Sequence, residues 1–428
     1  MKVLIVGGGG REHTIALKIA ENRQVTKLYA APGNGGMASI CECLPFKATD
    51  VNGITAWAKE NAIDFVIVAP DDPLCLGMVD ALAEAGIPAF GPNKAAAIIE
   101  GSKVFAKNLM KKYGIPTAAY ETFEDYDAAV AYLQTAEMPI VVKADGLALG
   151  KGVLICNTRE EAINAVSSMM KDEKFGASGK SVVIEEFLTG PEVSVLAFTD
   201  GKTIKPMVSS MDHKRALDHD EGLNTGGMGT IAPNPCYTPE LAERCMREIF
   251  LPTIHAMNAE GRPFKGCLYF GLMMTERGPK VIEYNCRFGD PETQVVLPLL
   301  KSDLLTVMQA TVNGTLAETE VEFDSGAACC VVLASGGYPV SYKSGYVISG
   351  LEEAGENALI IHAGTKINEQ GDIVTAGGRV LGVVGRCKCL PGAISKAYAA
   401  ARKISFTDLH MRSDIGQRGL AALEAQTK

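Results

Sequence analysis

The chain has 428 residues, 47% of them hydrophobic, which suits two to four units that each bury their own core. A formal charge of −9 offers no basic field to a nucleic-acid backbone, so no nucleic-acid partner is expected, and an anionic substrate must be met by local Lys and Arg. No apolar run approaches a membrane span, and the twelve cysteines sit in apolar runs (Cys156, Cys329, Cys330) or C-x-C pairs (Cys41 and Cys43, Cys387 and Cys389) without metal spacing, which points to a reducing cytoplasm.

The first hundred residues alternate short apolar runs with helical patterns. Val3–Val6, a glycine loop, a helix from about Arg11 to Asn22, Lys27–Ala31, Phe65–Ala69 and Ile87–Phe90 predict a doubly wound α/β unit over 1–102. Val3–Val6 is too short for a signal-peptide core and reads as a buried strand. Gly91-Pro92-Asn93 breaks the pattern ahead of a helix at Lys103–Tyr113. A second unit then spans 103–325. Within it, strands Ile140–Lys143, Val153–Cys156 and Val182–Glu185 around a helix at Arg159–Met170 predict a small mobile lid at about 117–190. Strands near Val193–Thr199 and Lys205–Ser209, a polar glycine-rich loop from Asp212 to Gly229, a helix from Pro239 to Glu260 and paired strands Gly266–Thr275 and Pro279–Asn285 complete it. Residues 326–428, with strands Ala327–Ala334 and Arg379–Gly385 and a helix after Pro391, read as a smaller C-terminal α/β unit.

Four segments carry chemistry. Gly7-Gly8-Gly9-Gly10 lies where a strand turns into a helix, so backbone N–H groups could hold a phosphate, with Arg11 beside them. The spacing fails the dinucleotide fingerprint, because Glu12 or His13 falls at the third glycine position and no acid ends the second strand. A tight turn without a ligand fits this loop equally well. Lys143-Ala144-Asp145-Gly146 through Gly150-Lys151-Gly152 is one residue short of a P-loop and leads into a strand, which leaves a glycine flap able to close over phosphates. An ordinary hairpin with solvated lysines is the alternative. Val182–Leu188 is a strand ending in Glu185, Glu186, Phe187 and Leu188, an edge that could pair a purine, with Glu192 placed for a ribose hydroxyl; by itself it is only a strand end. On Val281–Asn285 the period of two puts Glu283 and Asn285 on one face, two oxygen ligands suited to Mg²⁺, with Arg287 continuing toward the same place.

In this order, Lys103, the Lys143 strand and its flap, the Glu185 strand end and Glu283-x-Asn285 resemble the ATP-grasp fold. More narrowly, G-G-R-E-H at 9–13, A-P-G-N at 31–34, D-H-K-R at 212–215, N-T-G-G-M-G at 224–229, E-Y-N-C-R-F-G-D-P-E at 283–292, H-A-G-T at 362–365 and R-S-D-I-G at 412–416 resemble the phosphoribosylamine–glycine ligase family over essentially the whole chain. Gly8 stands where that pattern carries an amide side chain, Asp71 stands where it carries Glu, and the Leu268–Met274 strand lacks a further acidic metal ligand.

The resemblance implies that ATP phosphorylates the glycine carboxylate and that the amine of phosphoribosylamine attacks the acyl phosphate. It implies ATP with Mg²⁺ or Mn²⁺ as cofactor and glycine and phosphoribosylamine as substrates; no obligate protein partner is expected, and because the chain ends at its C-terminal unit a monofunctional ligase is expected. Lys103 and Lys143, with Gly150, Lys151 and Gly152 of the flap, would take the ATP phosphates, Glu185, Glu186, Phe187 and Leu188 the adenine, Glu192 the ribose, and Glu283 and Asn285 the metal. Arg287, Lys214, Asp212 and Asp290 would be catalytic, and Gly9, Gly10, Arg11, Asn224, Thr225, Gly226 and Gly227 would bind substrate. An ATP-grasp carboxylase that activates bicarbonate and a nucleotide-binding regulator without turnover are the rival readings.

Overall fold

The computed structural model describes residues 1–146, 152–171 and 179–426. Four sheets organise it. The first is parallel, with Lys2–Gly7 between Lys27–Pro32 and Phe65–Val68, and with short strands Glu42–Cys43 and Ala89–Phe90 at its edges. Val3–Val6 is buried on both faces because helices pack on either side, which is why the run is uninterrupted rather than alternating. The second sheet is antiparallel in the order Tyr120–Phe123, Val182–Glu186, Ile140–Ala144, Val153–Cys156, with the Arg159–Met170 helix covering one side. The third runs Ile204–Pro206, Glu192–Thr199, Gly266–Thr275, Gly278–Asn285. A large apolar cluster joins this sheet to the parallel one, so the first and third sheets share a core.

The fourth sheet departs from expectation. Its long strands, Ala327–Ser335 and Arg379–Cys387, lie where the apolar runs predict them, but Met211–Asp212 and Gly229–Ala232 extend the same sheet. Most of the segment expected as a glycine-rich loop is therefore ordered by pairing, with a hairpin of Arg215–Leu217 against Glu221–Asn224 between the two sheet strands. The predicted Pro239–Glu260 helix is interrupted by a π-helical turn at Met246–Phe250 just before Pro252. Proline has no N–H to donate and its ring crowds the preceding turn, which this wider turn accommodates. The expected Lys205–Ser209 strand is shorter, ending at Pro206.

In the Gly278–Asn285 strand the pairing register shifts: Gly271 faces Glu283 while Leu272 faces Val281, leaving Ile282 as an extra residue. The bulge lies before Glu283, so the alternation that sets Glu283 and Asn285 on one face is kept.

Candidate active site

The second, third and fourth sheets surround a cavity of about 750 Å³. Lys103, Lys143, Gly152, Glu185, Glu186, Phe187, Leu188, Glu192, Asp212, Lys214, Asn224, Thr225, Gly226, Glu283, Asn285, Arg287, Asp290 and Arg11 all line it. Gly150 and Lys151 lie outside the described residues.

Lys103 opens the Lys103–Tyr113 helix, whose N-cap Ser102 accepts from Phe105 N–H. Asp145 across the cavity accepts from Ser102 Oγ at 3.1 Å and from Val104 N–H at 3.1 Å, and Lys103 Nζ donates to Gly146 O at 2.7 Å. The start of the flap is thus tied to the helix that carries the lysine. Lys143 projects from the neighbouring sheet and donates to Ile282 O at 3.2 Å, at the bulge. Burial holds the Lys103 ammonium below its ordinary pKa.

Glu185 plays a different part from the one expected. Its strand is interior, paired on one side with Tyr120–Phe123 and on the other with Ile140–Ala144, so it offers a purine no free edge at Glu185. The Glu186 N–H is also used, by Ala119 O at 2.8 Å. Only Phe187 and Leu188, beyond the last paired residue, extend past the ladder. The Glu185 carboxylate instead bridges two buried lysines, at 2.5 Å from Lys107 Nζ and in direct contact with Lys143 Nζ. Burial pushes the Glu185 carboxyl up, but the two ammonium groups outweigh it and hold the pKa below the ordinary value. Lys107 drops to about 8, because burial exceeds the help from Glu185.

Glu283 sits among cations. Burial works against its charge, yet Lys214, Lys143, Lys103 and Arg287 bring its pKa below the usual carboxylate value. Asn285 donates its amide Nδ2 to Glu100 Oε1 at 2.8 Å, which leaves Oδ1 as its unshared acceptor on the cavity side. A carboxylate and an amide oxygen, both hard donors on one strand face, fit a divalent cation that takes its remaining ligands from phosphate and water. Arg287 pairs with Glu100 at 3.1 Å and is half-buried. Lys214 Nζ lies 3.0 Å from Glu192, whose carboxylate raises the lysine pKa well above the ordinary value.

At the far end of the cavity, Asp290 accepts from Arg11 N–H at 3.3 Å and from Gln294 Nε2 at 2.7 Å; burial would raise its pKa, but Arg379 and Arg11 hold it down. Asp212 and Glu292 behave oppositely. Burial and then the facing Glu292 push Asp212 well up, and burial raises Glu292. Tyr269 Oη donates to Glu292 at 3.1 Å.

The first glycine loop does not present an open anion site. Gly9 caps the Gly10–Ala20 helix, and Glu12 Oε2 accepts the Gly9 N–H at 2.6 Å, the one half of a capping box that a glycine allows, while Asp290 takes the Arg11 N–H. Two protein carboxylates already occupy the positive end of the helix, and neither Gly9 nor Gly10 lines the cavity. The Arg11 guanidinium is also engaged, by Glu12 at 2.6 Å and Phe288 O at 3.0 Å. At Gly8 an added Cβ would collide with the Gly33 carbonyl oxygen, so the close approach of the Gly33 turn requires glycine there. Gly227, at φ +113°, lies behind the cavity wall, where a Cβ would meet Pro291 Cδ at 2.5 Å and Asp212 Oδ1 at 2.7 Å.

Several lining residues escape local reading of the sequence. Lys107 stands one helical turn after Lys103, a signal that the period offers. Glu292 ends the D-P-E motif. Arg379 comes from the fourth sheet and donates to Gly226 O at 2.6 Å and Asp290 O at 2.8 Å, and no spacing announces it.

Comparison with known proteins assigns the architecture. The chain matches the family descriptions Phosphoribosylglycinamide synthetase, N domain over residues 1–100, ATP-grasp (A) domain over 101–293 and C domain over 328–418. It is 49% identical over 430 residues to the phosphoribosylamine–glycine ligase of Halalkalibacterium halodurans, covering 100% of both chains.

The chain belongs to the phosphoribosylamine–glycine ligase family.

The Vibrio vulnificus family member is 48% identical, with 98% of this chain and 99% of that one covered. The crystal structure of the Thermotoga maritima phosphoribosylamine–glycine ligase superposes with a TM-score of 0.85 at 35% identity, covering 97% of this chain and 100% of that one. A biotin carboxylase domain from Hydrogenobacter thermophilus, solved with MgADP, ADP and bicarbonate, has a TM-score of 0.72 at 15% identity over 96% of this chain and 91% of its own, and shows the shared ATP-grasp fold. Among the described residues no helix is long and apolar enough to cross a membrane.

Proposed function

We propose that this cavity joins glycine to phosphoribosylamine at the expense of ATP, through a glycyl phosphate, and that the residues divide the work as follows. The reaction is that of the ligase family to which the chain belongs. The observation that carries the assignment of roles is the convergence of Lys103, Lys143, Lys214 and Arg287 on Glu283 within one cavity.

Lys103 and Lys143 take the ATP phosphates, with Glu185 and Lys107 holding Lys143 in place. The adenine lies against Phe187 and Leu188, where the strand ladder ends, and Glu192 at the rim takes the ribose hydroxyls. Glu283 and Asn285 hold Mg²⁺, which when bound screens the phosphate charge and aligns the transferring group. A carboxylate is a poor electrophile until one oxygen becomes a leaving group, and phosphoryl transfer is catalysed chiefly by positioning and charge neutralisation. Arg287 and Lys214 neutralise charge as a glycine carboxylate oxygen attacks the γ-phosphorus and ADP departs. The amine of phosphoribosylamine then attacks the acyl carbon, inorganic phosphate leaves, and the amine loses its proton. Asp212, Asp290, Arg11 and the Asn224–Gly226 segment line the acceptor end of the cavity. The sugar phosphate is met there by Arg379 and Arg418, because the first glycine loop is closed by Glu12 and Asp290.

Substitutions at the two ends separate these roles. Lys143→Met is expected to raise the KM for ATP and leave that for phosphoribosylamine unchanged, and Arg418→Ala to do the reverse. A rise in the ATP constant for Arg418→Ala alone would place the nucleotide at the wrong end.

A further inference from the structure

Glu100, in the last turn of the Lys94–Gly101 helix, has no place in the roles above, yet it is only 7% exposed and reaches across to the strand that carries Glu283. Its Oε1 accepts from Asn285 Nδ2 at 2.8 Å and lies 3.1 Å from Arg287 Nη2, and its Oε2 accepts the Cys286 N–H at 2.7 Å. All three neighbours are donors. A carboxylate accepts at both oxygens and donates at neither, so it can satisfy them together.

We propose that Glu100 is a positioning residue for the divalent cation: by holding the amide nitrogen of Asn285 it turns Asn285 Oδ1 toward the cavity, and it keeps Arg287 alongside. This rests on Glu283 and Asn285 as the metal ligands. Glu100 itself lines the cavity but already accepts from three donors, and Glu283 and Asn285 remain the proposed ligands. A glutamine at this position has one acceptor and one donor in the same space, so one of the three donors must face an N–H₂ group. With its N–H₂ at the Oε1 place the Asn285 amide flips, so that Oδ1 accepts from the new amide and Nδ2 faces the cation; with its N–H₂ at the Oε2 place it meets the Cys286 N–H, which cannot turn, and that clash displaces the side chain from Asn285. Partners behind metal ligands typically contribute 10- to 100-fold to metal affinity.

The test is Mn²⁺ binding in the presence of ADP, read from the electron paramagnetic resonance signal of free Mn²⁺ and thus independent of turnover. Glu100→Gln is expected to weaken binding by roughly 10- to 100-fold. Glu100→Asp, which keeps both acceptors, is expected to bind more tightly than Glu100→Gln. In an Asn285→Ala background, Glu100→Gln should cause a much smaller further loss, because the Asn285 contact is already gone and only the Arg287 contact remains to be disturbed. Unchanged affinity in Glu100→Gln, a full additional loss in the Asn285→Ala background, or Glu100→Asp binding more weakly than Glu100→Gln would each overturn the proposal. Glu283→Gln separates the two levels. If it leaves Mn²⁺ affinity intact, the metal assignment itself falls, whereas weakening by Glu283→Gln without weakening by Glu100→Gln sinks only the positioning role.

Discussion

Replacing Glu185 by Gln removes one charge and no volume from a site where two ammonium groups converge. The side chains of Glu185, Lys107 and Lys143 are each about 5% exposed, so water screens little of the interaction. Removing one partner of such a buried arrangement costs about 3–5 kcal/mol, mostly because the remaining charges are stranded. Lys107 already sits at about 8, depressed by burial and supported by Glu185; without that support it falls further and sheds its proton near neutral pH. The sign of the pH dependence follows. The unfolded chain holds the lysine proton up to a pKa of roughly 10.4, so wild-type stability rises with pH from about 8 toward that value, and in Glu185→Gln the rise begins lower. Urea unfolding at pH 7 and pH 9 is therefore expected to show a larger loss at pH 7. The KM for ATP should rise as well, since Lys143 loses its anchor. Adding Lys107→Met should recover much of the stability, because removing both buried partners is far less costly than removing one. A Glu185→Gln protein with wild-type stability and pH slope, or a double variant that loses the sum of both effects, would refute the clamp.

Three further outcomes are expected. Glu283→Gln keeps a carbonyl oxygen but removes the only carboxylate of the proposed metal pair, so rapid-quench ADP formation should slow by on the order of 10²-fold, about 3 kcal/mol, with partial rescue by excess Mg²⁺; a near-normal rate with unchanged Mg²⁺ dependence contradicts the assignment. Asp212 and Glu292 are both held above the ordinary carboxylate range, so the folded protein keeps a proton that the unfolded chain releases, and stability falls as pH rises through that window. Glu292→Gln should flatten that fall in urea titrations, and an unaltered slope would show that the two carboxyls do not share the burden. Gly227→Ala puts a methyl against Pro291 and Asp212 at positive φ, at a cost of roughly 1–3 kcal/mol, and should lower activity more than the drop in thermal midpoint explains; wild-type turnover would mean that the segment can move aside.

The fold was legible wherever an apolar run and a length agreed. Val3–Val6, Lys103–Tyr113 behind its Ser102 cap and Gly266–Thr275 fall where period and punctuation put them. The strands at Met211–Asp212 and Gly229–Ala232 were hidden because they are short and polar at one end, and the partner that orders Gly229–Ala232, Ala327–Ser335, lies about a hundred residues downstream. Much the same divides the site. Lys143, Glu283, Asn285 and Arg287, which line the cavity, each sit in a local pattern, whereas Lys103 came only through the family resemblance, Arg379 arrives from another sheet and Glu100 from another helix. The first glycine loop left two readings open, and Glu12, three residues after Gly9, favours the tight turn because its carboxylate takes the Gly9 N–H.

The most direct measurement is ADP release with each reactant omitted in turn, with phosphoribosylamine generated in the assay. Sustained ADP release, matched by glycinamide ribonucleotide, is expected only when ATP, a divalent cation, glycine and phosphoribosylamine are all present. Sustained release without glycine, or with bicarbonate in its place, would contradict the assignment of the cavity to glycine activation.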